Sequence, residues 1–265
     1  MVQQISHGDI TIAYEESGSG EPLILLHGGE SSHIQYDTFR PVLGDGIRAI
    51  AYDQRDTGDS ANPAEPYRMA DLADDCAALI RGLGYERAHV FGASYGGAIA
   101  LQVGISRPEV VRTLTVGTAI PRFSAAPASA QDLTRASEDR AAKMLDAVLS
   151  GKGQQSPELL AEARRILLHR PAEADKRRMD AIREFDVLGR LGEITAPTLL
   201  IYGGDDPLGK VEYGQQIAEA IPGARLEVIP GMRHGITLEA KHEVAALLRD
   251  FILTSSRAPR EFPPE

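Results

Sequence analysis

Short, predominantly apolar runs recur along this chain, and between them the apolar positions fall at helical spacing. The runs are Leu23-Ile24-Leu25-Leu26, residues 47–52 (Ile47, Ala49, Ile50, Ala51, Tyr52), 88–91, 114–116, 198–202 and 226–229. Runs without polar alternation suit strands covered on both faces, as in a parallel sheet between helices. Residues 9–15 differ: Ile10, Ile12 and Tyr14 share one face, and Ser17-Gly18-Ser19-Gly20 supplies a turn. The 3.6-residue spacing predicts helices over 69–83, 97–106 (stopped by Pro108), 211–220 (stopped by Pro222) and 238–253. Strands alternating with helices imply an α/β protein with a doubly wound, mostly parallel sheet. Residues that do chemistry should then gather on the loops leaving the carboxyl ends of the strands.

One stretch breaks the rhythm. Residues 120–196 offer no convincing strand and are far longer than a crossover needs. Within them, 141–149, 159–168 and 176–185 have apolar residues at helical spacing, as at Met144, Leu145, Val148 and Leu149. The expectation is an α/β core formed by 1–119 and 197–254, with 120–196 inserted as a helical cap over the sheet. From Thr254 onward the chain holds three prolines and mixed charges, so 255–265 is expected to be a flexible tail.

Composition narrows the classes. The chain has 265 residues, 28 Lys plus Arg against 38 Asp plus Glu, a formal charge of −10, and one cysteine. That acidity argues against nucleic acid and against an anionic membrane surface as partners. Cys76 can form no internal disulfide, sits in a helical stretch and is expected to be a small core residue. No apolar run approaches the ~20 residues of a membrane helix, and Met1-Val2-Gln3-Gln4 lacks the regions of a signal peptide. A cytoplasmic location is therefore expected. No cofactor or metal motif is visible, and nothing in the sequence fixes an oligomeric state.

The candidate chemistry begins with Gly92-Ala93-Ser94-Tyr95-Gly96, a G-x-S-x-G that is weak alone. Its context strengthens it, because it follows the strand at 88–91 and opens the helix from Gly97, as a nucleophile elbow requires. A serine hydroxyl needs a base. Among seven histidines, His234 follows a strand end in Pro230-Gly231-Met232-Arg233-His234-Gly235. The base needs an acid to fix its tautomer, and Gly203-Gly204-Asp205-Asp206 supplies two candidates after the strand at 198–202. Two N–H donors for a developing oxyanion are available from His27-Gly28-Gly29-Glu30, where His27 braces the loop, and from Tyr95, the residue after the nucleophile.

With these marks the chain resembles the α/β-hydrolase superfamily over about residues 9–254. The resemblance also rests on Asp53-Gln54-Arg55-Asp56-Thr57-Gly58-Asp59-Ser60 and on Ile194-Thr195-Ala196-Pro197-Thr198-Leu199-Leu200. It implies an α/β-hydrolase fold, selects Asp206 over Asp205 as the acid, and marks Asp53, Arg55 and Ser60 as structural. A serine at position 94 argues against dehalogenases and epoxide hydrolases, which use Asp there, and the absence of Trp removes a halide-binding indole. Gly235 stands where hydroxynitrile lyases carry Lys and many carbon–carbon bond hydrolases Trp. His27-Gly28-Gly29-Glu30-Ser31 is unlike the loop of prolyl iminopeptidases, although Asp53-Gln54-Arg55 is similar to theirs. Arg55-Asp56-Thr57-Gly58, with Asp56 where Gly is usual, resembles the segment of aclacinomycin methylesterase-type enzymes.

The resulting expectation is a serine hydrolase of carboxylic esters or lactones. Ser94 is its nucleophile, His234 the base, Asp206 the orienting acid, and Gly29 and Tyr95 the oxyanion donors. Amide, peptide or carbon–carbon bond hydrolysis, a perhydrolase, or a non-catalytic ligand-binding receptor on the same scaffold are the alternatives. Glu30 and His33 are expected to border the substrate, and Glu30 with Asp37 to favour cationic substrates.

Overall fold

The computed structural model describes residues 1–125, 140–167 and 170–257. Eight strands form one sheet in the order β1-β2-β4-β3-β5-β6-β7-β8. They are β1 (Gln3–His7), β2 (Ile10–Gly18), β3 (Gly20–Leu26), β4 (Gly46–Tyr52), β5 (Ala88–Ala93), β6 (Val111–Gly117), β7 (Thr198–Gly203) and β8 (Arg225–Ile229). The β1–β2 and β2–β4 pairs are antiparallel and every pair from β4 onward is parallel. The helices are α1 (Met69–Gly82), α2 (Tyr95–Ser106), α3 (Arg140–Val148), α4 (Pro157–Ile166), α5 (Ala172–Arg183), α6 (Val211–Ala220), a single turn α7 (Ile236–Glu239) and α8 (Lys241–Arg257). After β3 the chain moves to β4 on one side and to β5 on the other. The crevice at the carboxyl end of β3 is thus the switch point where such sheets bind ligands.

The predominantly apolar runs are explained by the two faces. Ile24, Leu26, Ile50, Val90, Leu114 and Leu200 pack with α1 and α2 on one side of the sheet. Leu23, Leu25, Ile47, Phe91, Leu199 and Ile201 pack with Tyr36, Phe39 and α8 on the other. Along β3, β4, β5 and β7 these sets alternate residue by residue, so each of those strands feeds both cores. On α8, Val244, Leu248 and Ile252 are fully buried, and truncating Leu248 to Ala would cost about 3 kcal/mol. Cys76 is buried in the first core, as expected of a small apolar residue.

Two features differ from the expectations above, each for a physical reason. β1 was not foreseen, because its side chains are almost all exposed at the sheet edge and only Ile5 packs inward. Residues 255–257, expected to belong to a flexible tail, are helical. Thr254 to Arg257 continue α8, with the Ser256 hydroxyl donating to the Ile252 carbonyl at 3.0 Å, and residues 258–265 lie outside the described residues. The described residues between β6 and β7, expected as a cap over the sheet and not as a separate domain, also contribute to the core. Ile182, Phe185, Val187, Leu191 and Ile194 are buried in the same cluster as α1 and α2. Of the expected helix at 159–168, residue 168 lies outside the described residues.

Candidate active site

Strand β5 ends at Ala93 and α2 begins at Tyr95, leaving Ser94 alone at the turn with φ 57° and ψ −119°. That left-handed backbone costs a non-glycine residue about 1–3 kcal/mol, and such strain concentrates at functional sites. The turn closes because its neighbours lack side chains. A Cβ on Gly92 would lie 2.0 Å from the Gly96 carbonyl oxygen, and one on Gly96 would lie 2.0 Å from that of Leu26. The Ser94 N–H is anchored to the Gly117 carbonyl at 2.9 Å.

The loops after β7 and β8 bring Asp206 and His234 together. Asp206 Oδ2 accepts from His234 Nδ1 at 2.8 Å. Its Oδ1 accepts from the amides of Leu208 and Gly209 at 2.8 and 3.0 Å. Since an ionised carboxylate only accepts, the proton of a neutral His234 sits on Nδ1 and Nε2 is left as a lone-pair base. Asp205, the other candidate, is exposed, and its amide is used on the Met232 carbonyl. Gly203 permits the approach, since a Cβ there would lie 2.4 Å from the Met232 carbonyl oxygen.

The loop after β3 is fixed by His27, which is fully buried. Burial, and secondarily the charge of Arg178, pushes its pKa down to about 3. As a neutral ring it donates from Nδ1 to the Gly28 carbonyl at 2.8 Å and accepts at Nε2 from the Gln54 amide at 3.3 Å. The Gly28 amide is committed to Gln35 Oε1 at 2.8 Å. Gly29 sits against Tyr95, where a Cβ would meet the Tyr95 Cβ at 3.6 Å. The Tyr95 N–H belongs to the first turn of α2, whose amides have no intrahelical acceptor.

A cavity of about 200 Å³ lies among these groups. Gly29, Glu30, Ser94, Tyr95 and His234 line it, together with an apolar wall that includes Phe123, Met144, Ile166, Met179 and Leu238. His33 does not line it: its amide and Nδ1 both donate to Asp53 Oδ1, at 2.8 and 2.9 Å. Asp37 is also elsewhere, held by Arg40 at 3.1 Å and Arg165 at 2.9 Å. Its charge is neutralised outside the cavity, which removes half of the basis for expecting cationic substrates.

The description "Alpha/beta hydrolase family" fits this arrangement, and the model of that family matches residues 23–247. The chain belongs to this family. The AB hydrolase superfamily protein YisY of Bacillus subtilis (strain 168) is 27% identical over 256 residues, covering 91% of this chain and 95% of that protein. The 2-hydroxy-6-oxo-6-phenylhexa-2,4-dienoate hydrolase of Comamonas testosteroni is 29% identical over 262 residues, 92% of each chain. Among solved structures, Est816, described as an N-acyl homoserine lactone degrading enzyme, superposes with a TM-score of 0.79 at 28% identity, covering 94% of this chain and 100% of that one. The protein is thus a hydrolase. Among its described residues, no helix is long and apolar enough to cross a membrane.

In this α/β hydrolase the insertion between β6 and β7 is fastened to the site at several points that the sequence reading missed. The amides of His234 and Gly235 donate to the carbonyls of Ala147 and Val148, at the end of α3, at 3.1 and 2.8 Å. A Cβ on Gly235 would lie 2.6 Å from Val148 Cγ1, which explains why no side chain follows His234. Arg170 donates to the carbonyls of Gly29 at 2.5 Å and Ser31 at 3.1 Å. From α5, Arg177 pairs with Asp56, and Arg178 reaches Gln54 and Arg55. The available signal was Asp56 itself, an acid at a turn position where φ is +59° and glycine is usual.

Proposed function

We propose that this hydrolase cleaves carboxylic esters or lactones through an acyl-enzyme on Ser94. His234 Nε2 takes the Ser94 proton as the hydroxyl oxygen adds to the substrate carbonyl. The tetrahedral oxyanion accepts hydrogen bonds from the Gly29 and Tyr95 amides, where one donor is worth about 3 kcal/mol. His234 then returns the proton to the departing alkoxide. Water, deprotonated by the same nitrogen, attacks the acyl-enzyme and releases the acid, regenerating Ser94. Asp206 holds the imidazole in the required tautomer and stabilises it when it is charged.

The observation that carries this reading is the 2.8 Å contact of His234 with an Asp206 whose other oxygen is already satisfied, beside a cavity that His234 and Ser94 both line. The apolar wall favours an uncharged acyl or alkyl group, with the described residues between β6 and β7 acting as a cap that supplies Phe123, Met144, Ile166 and Met179 to it; Glu30 also lines the cavity. The activity named for Est816 supports the lactone branch. A dienoate of the kind named for the Comamonas relative would bring a carboxylate, and the described lining contains no Lys or Arg to receive it.

Treatment with a fluorophosphonate probe and peptide mass spectrometry should place an adduct on Ser94 that is absent in His234→Ala. Ser94→Ala should lower ester turnover by about 10⁶-fold. Near-normal turnover in that variant would remove the assignment.

A further inference from the structure

Arg178 is a buried cation in an unusual position. It is 2% exposed and, among the described residues, has no carboxylate within salt-bridge distance. The neighbouring acids are already engaged, Asp56 by Arg177 and Asp75 by Arg55. A buried charge without a counter-charge is costly, and carboxylate pairing is how such charges are ordinarily kept. Its contacts lead in two directions. The guanidinium lies over the Tyr95 ring, 4.3 Å from the centroid, and the Tyr95 hydroxyl donates to the Arg178 carbonyl at 3.3 Å. The same guanidinium donates to Gln54 Oε1 at 3.1 Å and to the Arg55 carbonyl at 2.9 Å. Gln54 in turn donates from Nε2 to the His27 carbonyl at 3.0 Å and from its amide to His27 Nε2, while His27 holds the Gly28 carbonyl.

We infer that Arg178 is a positioning residue for the oxyanion site, setting both of its walls from the insertion. One wall is Tyr95, whose amide opens α2; the other is the loop of Gly29, reached through Gln54 and His27. Each wall supplies one of the two amides assigned above, and Arg178 is the group that touches the support of both. It does not line the cavity, so it acts through these residues and not by contact with substrate. Its positive charge, held over the ring of the residue whose amide is one of the assigned donors, would also favour negative charge developing at that amide. Arg170, holding the Gly29 and Ser31 carbonyls, reinforces the second wall alone.

The inference rests on the proposed serine mechanism, and its test separates the two. The full-length protein, Arg178→Met and Arg178→Lys are compared for fluorophosphonate labelling of Ser94 and for steady-state hydrolysis of a p-nitrophenyl ester. Arg178→Met should lower kcat by about 30-fold with KM within about threefold, because the lost support is felt in the transition state. The labelling rate should fall in parallel. Arg178→Lys, which keeps a cation over Tyr95, should recover most of that loss. If Arg178→Met does not fold, Gln54→Leu severs the link to the His27 carbonyl and should lower kcat by about tenfold with KM held. A rise in KM at constant kcat, a Lys variant no better than Met, or a wild-type kcat in Gln54→Leu would each overturn the inference and leave the serine mechanism standing. A folded wild-type protein that is not labelled at Ser94 would overturn both.

Discussion

Arg177 grips Asp56 with two hydrogen bonds, 2.9 Å from Nε and 2.6 Å from Nη2, and so ties α5 to the turn after β4. Asp56 holds a φ of +59° to make that contact. The pair therefore stabilises a backbone that the residue alone disfavours. Asp56→Ala keeps the strained backbone and loses the pair, and should destabilise the protein by about 2 kcal/mol. Asp56→Gly loses the pair but relieves roughly 1 kcal/mol of strain, so it should be the milder change. Urea unfolding of both variants checks the order, and a glycine variant less stable than the alanine one would refute the account.

Gly235 tests the coupling between the insertion and His234, the proposed base. Its φ of −84° lies outside the left-handed region, so a substitution there is opposed first by the contact with Val148. Gly235→Ala should displace the His234 loop and lower kcat/KM by about 10- to 100-fold, with little loss of thermal stability. Adding Val148→Ala removes the 2.6 Å clash with Cγ1 but not the 2.8 Å approach to the carbonyl oxygen. The double variant should recover only part of the activity in the same kinetic assay.

Asp206→Asn keeps the size of the side chain while removing its charge. An amide NH₂ facing His234 Nδ1 would favour the tautomer with its proton on Nε2, which cannot act as base. Turnover should fall by about 10³- to 10⁴-fold with the fold intact by circular dichroism. A loss below tenfold would show that the 2.8 Å contact does not orient a catalytic base.

Buried histidines predict the acid limb of stability. Burial, with a further contribution from Arg112, pushes the His89 pKa down to about 4, and the ring is paired with the Thr113 hydroxyl at 2.7 Å. The unfolded chain takes up a proton near pH 6.5 and the folded one does not until about pH 4. Stability must therefore fall as pH drops through that window, by up to about 1.4 kcal/mol per pH unit for each such histidine. His27, lowered to about 3, acts in the same direction. His33 acts oppositely: its hydrogen bond to Asp53 raises its pKa, so that contribution is present below about pH 6.5 and fades as pH rises through the folded value. In His89→Gln the stability lost between pH 7 and 5 should shrink by about 2 kcal/mol, measured by urea unfolding at both pH values.

The parts of the molecule legible in the sequence are those whose signal is local. Leu23 to Leu26, a compact apolar run closed by glycines, suits a strand covered on both faces, and Gly92 with Gly96 marked a turn that needs residues without side chains. Asp206 and His234 could be expected near each other because each directly follows a strand of one parallel sheet. His33 is expected from the sequence to border the substrate, but it does not line the cavity, because Asp53 approaches from the end of the next strand and holds its amide and ring. Asp37 was misread for the same reason, since Arg165 reaches it from a helix far along the chain. Nothing in the local sequence distinguishes Arg170 or Arg178 from a solvated charge; their burial depends on contacts with the loops after β3 and β4, far away along the chain.

The fastening of α3 to the His234 loop and of Arg170 to the Gly29 loop has an engineering consequence. Specificity in such a scaffold invites the exchange of one lid for another, cut at the borders of residues 120–196. Here the lid carries part of the wiring of the reaction centre. A transplanted lid would arrive without partners for Asp56 and the Gly29 carbonyl, and with no guarantee of tolerating the bare Gly235. A chimera of this enzyme therefore has to exchange loop and lid as one inheritable unit.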